Sequence, residues 1–82
     1  MSAYWTVKNV EPLKEYRILL TFEKGVRKIF DMKPYLKYPM YEPLENIAIF
    51  NMVHTNGETA VWNDEIDIAP ETLYEKGISY ND

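Results

Sequence analysis

Three carboxylates, Asp64, Glu65 and Asp67, crowd behind Trp62 in the stretch WNDEIDIAPETLYEKG, residues 62–77. Clustered carboxylates can hold a divalent cation or serve acid–base hydrolysis, so their spacing decides what they can do. Calcium wants several oxygen ligands on a sharply turning loop, with a glycine at the bend. Asn63, Glu65 and Asp67 alternate suitably, yet no glycine and no bidentate glutamate follow where such a loop needs them. If residues 66–68 are extended, Glu65 and Asp67 share a face, about 7 Å apart by strand rise. Two exposed ligands hold a divalent ion only weakly. The cluster therefore reads first as an acidic surface strip, and weak divalent-metal binding at this turn ranks third among the functional readings. Asp67 also has a structural alternative. It precedes a helix that opens at Pro70 behind Ala69, which cannot cap, and so is placed to accept backbone N–H groups.

The other reactive side chains are few. His54 is the only histidine and there is no cysteine, which leaves no set of ligands for zinc and no disulfide framework. Ser2 and Ser79 lie near the two ends, so no serine pairs credibly with His54 as a nucleophile. A histidine beside Asn56-Gly57 reads instead as an exposed strand residue. Gly25, Gly57 and Gly77 are each explained by a turn or a helix end, not by a phosphate-cradling loop. A two-carboxylate hydrolase needs a cleft between its acids, and no element here builds one. The chain is accordingly read as not an enzyme, with no catalytic, cofactor-binding or metal residues.

The positioning elements must fit into 82 residues, a single domain whose core is one layer thick. Order is expected over about residues 4–77, with a frayed tail at 78–82. Hydrophobic content of 46% argues against disorder. No basic segment followed by an apolar run opens the chain, and no apolar run approaches the ~20 residues of a membrane span. With no cysteine, a cytoplasmic location and no membrane partner follow as expectations.

The net charge of −4 hides an asymmetry: residues 1–41 carry eight Lys or Arg against four Asp or Glu, and residues 42–82 carry one against nine. The plain reading is that both halves interleave in one sheet. The functional reading keeps a basic patch (Lys24, Arg27, Lys28, Lys33, Lys37) and an acidic patch on separate surfaces, to steer a partner or to meet head to tail between copies; Lys24, Arg27 and Lys28 on one hairpin are also the basis of a nucleic-acid-associated regulator. An overall pI near 4.9 weighs against nucleic acid for this domain alone.

Hydrophobic periodicity predicts a small α+β fold: an antiparallel sheet of about four to five strands built from two hairpins, under two or three short helices at about 43–50 and 70–76. Trp5, Val7 and Val10 mark a strand ending at Glu11-Pro12. Tyr16, Ile18, Leu20 and Phe22 alternate onto one face of the next. A three-residue loop with Gly25 then sets Leu20 opposite Lys28 and Ile18 opposite Phe30, whereas a two-residue loop would put Arg27 and Asp31 on the apolar face. Asn56-Gly57 predicts a two-residue hairpin pairing Val53 with Ala60 and Met52 with Val61. Leu44, Ile47 and Ala48, with Phe50, fit one helix face, with strand throughout IAIFNMV as the alternative. Pro70 opens and Gly77 ends the last helix, with Leu73 inward.

Residues 32–43, MKPYLKYPMYEP, are the least regular. Pro34 permits a helical turn and Pro39 stops it. Two readings stand side by side. The aromatic segment folds over a sheet edge as a lid, or it forms a contact surface made of Lys33, Tyr35, Lys37, Tyr38 and Tyr41.

Taken together, LLTFEKGVRKIFDMKPYL, PLENIAIFNMV and AVWNDEIDIAPETLY resemble the bacterial and archaeal family called domain of unknown function 2442. Phe22, Gly25, Asp31, Leu44, Phe50, Trp62, Asp67, Pro70, Leu73 and Tyr74 match its pattern, over about residues 7–75. Glu65 departs from it, standing where the family usually has glycine. The resemblance implies a small α+β domain without an established activity. Some relatives carry a helix-turn-helix as well. Others are encoded beside a second small protein, in an arrangement similar to toxin–antitoxin pairs. The resulting expectation is a non-catalytic protein-interaction or regulatory, antitoxin-like module. Its partner is another small protein or a second copy, since an exposed edge strand permits pairing.

Overall fold

The computed structural model of the chain describes residues 5–63 and 65–80. It is an α+β structure. Strands β1 (Val7–Leu13), β2 (Arg17–Phe22), β3 (Arg27–Asp31) and β6 (Ile78–Ser79) form an antiparallel sheet in that order. Strands β4 (His54–Thr55) and β5 (Ala60–Val61) form a separate hairpin, and the α-helices are α1 (Ile47–Phe50) and α2 (Pro70–Lys76).

The alternation in β2 fixes which face is buried. Ile18, Leu20 and Phe22 are fully buried, and they meet Val7, Val10, Phe30, Met32 and Trp62 in one core. The β2–β3 register is the predicted one: Leu20 faces Lys28 and Ile18 faces Phe30. Gly25 supplies the positive φ of 85° that the loop requires, and Phe22 N–H donates to the Val26 carbonyl across it at 2.7 Å.

Elsewhere the structure departs from the expectations. The first strand does not end at Glu11-Pro12 but runs on to Leu13. Pro12 is tolerated because β1 is an edge strand, where a missing N–H leaves no gap in the ladder. A register shift between Val7 and Asn9 lets Val7 and Val10, three apart, both face the core. The turn into β2 contains no glycine; Glu15 and Tyr16 themselves adopt φ of 62° and 59°. Tertiary contacts hold Tyr16 there. Its hydroxyl donates to the Glu45 carbonyl at 2.5 Å, its carbonyl accepts from Met32 N–H at 2.9 Å, and its ring meets Phe50 edge-on at 5.3 Å.

The predicted helix over 43–50 is broken. A 3₁₀ turn, Glu42–Glu45, precedes α1, and Asn46 between them is extended, its side chain accepting from Ala48 N–H at 3.0 Å. Asparagine offers the backbone a cap in place of a continuous helix. The break also turns the predicted face: Leu44 and Phe50 are buried, but Ile47 and Ala48 are exposed.

The second hairpin has a four-residue loop. His54 pairs with Val61 and Thr55 with Ala60, two residues away from the predicted register. Gly57 has φ 96°, but Asn56 does not take the positive φ a two-residue turn would need. Instead the Asn56 side chain accepts from Glu58 and Thr59 N–H at 2.9 and 3.0 Å.

Helix α2 spans the predicted residues, with Leu73 buried. Gly77 ends it in an extended conformation, φ −70°, so glycine is needed there for space: a Cβ would lie 2.6 Å from the Leu73 carbonyl oxygen. Ordered structure does not stop at Gly77. Residues 78 and 79, expected to fray, pair with β3, and Tyr80 N–H donates to the Arg27 carbonyl at 3.0 Å; residues 81 and 82 lie outside the described residues. Among the described residues, no helix is long and apolar enough to cross a membrane.

Candidate functional site

The segment after β3 is a ladder of tight turns. Backbone N–H groups of Tyr35, Leu36, Tyr38, Tyr41, Glu42 and Leu44 each donate three residues back. Pro34, Pro39 and Pro43 force this pattern, since none can continue a helix from before. Tyr35 sits at the centre of a ring cluster, 5.3 Å from Phe30, 6.3 Å from Tyr38 and 6.5 Å from Tyr41 between centroids. Tyr35 and Tyr41 pack against the core, and the Tyr41 hydroxyl donates to the Asp67 carbonyl at 3.0 Å. Burial raises the Tyr41 pKa above its usual 10.0, and the Asp67 carboxylate and Tyr35 add to the effect.

The five predicted contact residues therefore separate. Lys33 is tied down, 3.2 Å from the Asp31 carboxylate and donating to the Glu15 carbonyl at 3.0 Å. Tyr35 and Tyr41 are half-buried supports. Lys37 and Tyr38 project, with the ammonium 5.5 Å from the Tyr38 ring centroid. Met40 in the same segment is as exposed as Tyr38, at 49% each. The segment divides accordingly: Tyr35 and Tyr41 cover the core as a lid, and residues 37–40 are exposed.

The basic patch is not assembled as a unit. Lys28 falls on the core side of β3, packs 3.9 Å over the Tyr74 ring centroid, and donates to the Tyr74 carbonyl at 2.5 Å. There it answers the negative end of α2. Arg27 lies 5.0 Å over the Tyr80 ring, and only Lys24 stands fully out at the turn.

The acidic turn is built by Asn63, whose side chain accepts from Glu65 and Ile66 N–H at 2.8 and 2.9 Å. Glu65 does not adopt a positive φ in this turn, so no glycine is required at position 65. Asp64 lies outside the described residues. Asp67 is exposed and its carboxylate caps no helix N–H among the described residues; its main chain bridges Val61 instead. His54, Asn56, Asn63 and Asp67 line a cavity of about 290 Å³. Among the described residues, no three His, Asp or Glu side chains gather as they would to hold a metal ion.

The remaining motif residues are architectural. Phe22, Leu44, Phe50, Trp62 and Leu73 are in the core, and Tyr74 meets Phe22 edge-on at 5.1 Å. Trp62 Nε1 donates to the Phe50 carbonyl at 3.0 Å, which joins the second hairpin to α1. Asp31 accepts from Lys33 N–H at 2.9 Å and starts the turn ladder. This placement of motif residues agrees with a family comparison: the profile described as protein of unknown function (DUF2442) matches residues 7–79. The chain belongs to that family. No curated protein and no solved structure matches this family member.

Sequence reasoning missed one concave feature. A groove of about 410 Å³ lies beside β3 and β6, walled by Arg17, Ile29, Asp31, Tyr35, Lys76 and Ile78. Its signals were present but divided: Arg17 sat in the non-core half of an alternating strand, and Ile78 in the stretch read as tail.

Proposed function

We propose that this chain is a non-catalytic protein-interaction module of the cytoplasm, acting as the regulatory, antitoxin-like member of a two-protein pair. The observation that carries this reading is the apex at residues 37–40. Tyr38 and Met40 are each half out of water, on a loop held by the turn ladder and the ring cluster beneath it. An ordered loop that exposes a tyrosine and a methionine loses little conformational entropy on binding, and both residue types are favoured at the centres of interfaces. Lys37 at its rim favours a partner with acidic character.

The test is co-expression of the tagged chain with the product of the neighbouring gene, followed by native mass spectrometry. A stoichiometric complex is expected, and Tyr38→Ala with Met40→Ala should weaken it by about 2 kcal/mol or more without lowering the melting temperature. A neighbouring product that stays uncomplexed at micromolar concentrations defeats the proposal.

A further inference from the structure

The groove beside β3 exists because β6 is short. Ile29 pairs with Ile78, but beyond it come Gly77, which ends α2, and Lys76, which belongs to α2 and would stand opposite Asp31, so among the described residues no strand pairs with β3 at Asp31 on this edge. The backbone of Asp31 points that way. Tyr80 N–H bonds to Arg27, so odd-numbered residues of β3 face the open edge. Met32 N–H bonds to Tyr16, which sends even-numbered residues toward β2. Asp31 thus offers a main-chain donor and acceptor to an added strand.

Charge selects what lies there. Arg17 stands directly across from Asp31, yet the Asp31 carboxylate is engaged by Lys33, both at its ammonium and at its backbone N–H. Arg17 spends its Nε on the Lys14 carbonyl at 3.2 Å, and its half-buried fork has no carboxylate partner among the described residues. Lys76 closes the other side. The groove is therefore cationic on a chain of net charge −4, and its walls at Ile29, Tyr35 and Ile78 are apolar. We infer that it binds an extended peptide segment bearing a carboxylate, its backbone paired with the open main chain of Asp31, with Arg17 and Lys76 on the carboxylate and Ile78 under an apolar neighbour. This rests on the interaction-module reading but assigns the ligand to residues other than Tyr38 and Met40.

The experiment uses the full chain at low ionic strength and two labelled, amide-capped pentapeptides, one alternating valine with glutamate and the other valine with glutamine. Fluorescence anisotropy should show the glutamate peptide binding about tenfold tighter, and Arg17→Gln should remove that preference. Lys76→Gln, an exposed change that cannot unfold the chain, should reduce it about threefold. Amide shifts should centre on Ile29, Asp31, Ile78 and Ser79. Equal binding of both peptides, indifference to both substitutions, or shifts centred elsewhere overturns the inference. Concentration-dependent shifts at the groove without peptide assign it to a second copy and overturn it equally. If Tyr38→Ala abolishes peptide binding while Arg17→Gln does not, the groove is wrong and the apex at residues 37–40 survives as the contact surface.

Discussion

The two hairpins both bury residues in the core, but their registers are set by different features. In β2–β3, strands of six and five residues alternate into the core, and burial of Ile18, Leu20, Phe22 and Phe30 fixes the pairing. In β4–β5, each strand has two residues; Ala60 and Val61 are buried, but so short a ladder takes its register from side chain–backbone hydrogen bonds. Asn56 braces the loop. Thr55 Oγ1 accepts from Gly57 N–H and donates to the Val7 carbonyl at 2.9 Å, while Thr59 Oγ1 donates to the Ile68 carbonyl. Apolar burial constrains a long strand through many side chains at once, whereas a two-residue strand can be set only by its turn and its docking partners.

This contrast can be broken in measurable ways. Phe30→Ala should cost the most, about 3–5 kcal/mol in chemical denaturation, because it empties a fully buried site in the burial-held hairpin. Trp62→Phe keeps most of the ring but removes the indole donor and leaves the Phe50 carbonyl only its longer 3.3 Å bond from Val53 N–H, so about 1–2 kcal/mol should be lost. Asn56→Ala removes the acceptor of two turn bonds and should cost about 1–2 kcal/mol, with the His54–Val61 cross-strand contact weakening in nuclear Overhauser spectra. A loss below about 0.5 kcal/mol would show that the second hairpin is also burial-held. Gly25→Ala and Gly57→Ala should each cost about 1 kcal/mol by forcing an L residue into positive φ, and near-equal losses are expected because neither Cβ meets another atom.

The smallest effect concerns the lid. The Tyr41 pKa is raised in the folded chain, so its contribution to stability is present below pH 10 and is lost as the pH rises through the folded value. Thermal melts should therefore fall more steeply above pH 10 for the native chain than for Tyr41→Phe. Parallel curves would mean that Tyr41 is not coupled to folding.

Legibility in the sequence followed the same division. The β2–β3 register was readable because an odd slip would bury Arg27 and Asp31. The β4–β5 register was misread by two residues, a slip that keeps every side chain on its own face and so leaves the hydrophobic pattern unchanged. The glycine-free turn at Glu15 and Tyr16 left no local signal, since contacts with Glu45, Met32 and Phe50 hold it. Of the candidate contact residues, the sequence identified the aromatic segment but could not sort Tyr38 from Tyr35 and Tyr41, because all three are tyrosines among prolines and only packing decides which ring is covered.

By itself the chain determined its α+β class, the inward face of β2, the span of α2 and its family, all of which follow from local periodicity, turn chemistry and the order of motif residues. Tertiary structure alone decided which lysines are available, where β6 stops and hence where β3 lies open. Those outcomes depend on contacts between residues far apart in sequence, such as Lys28 with Tyr74 and Ile29 with Ile78, and no local pattern encodes them.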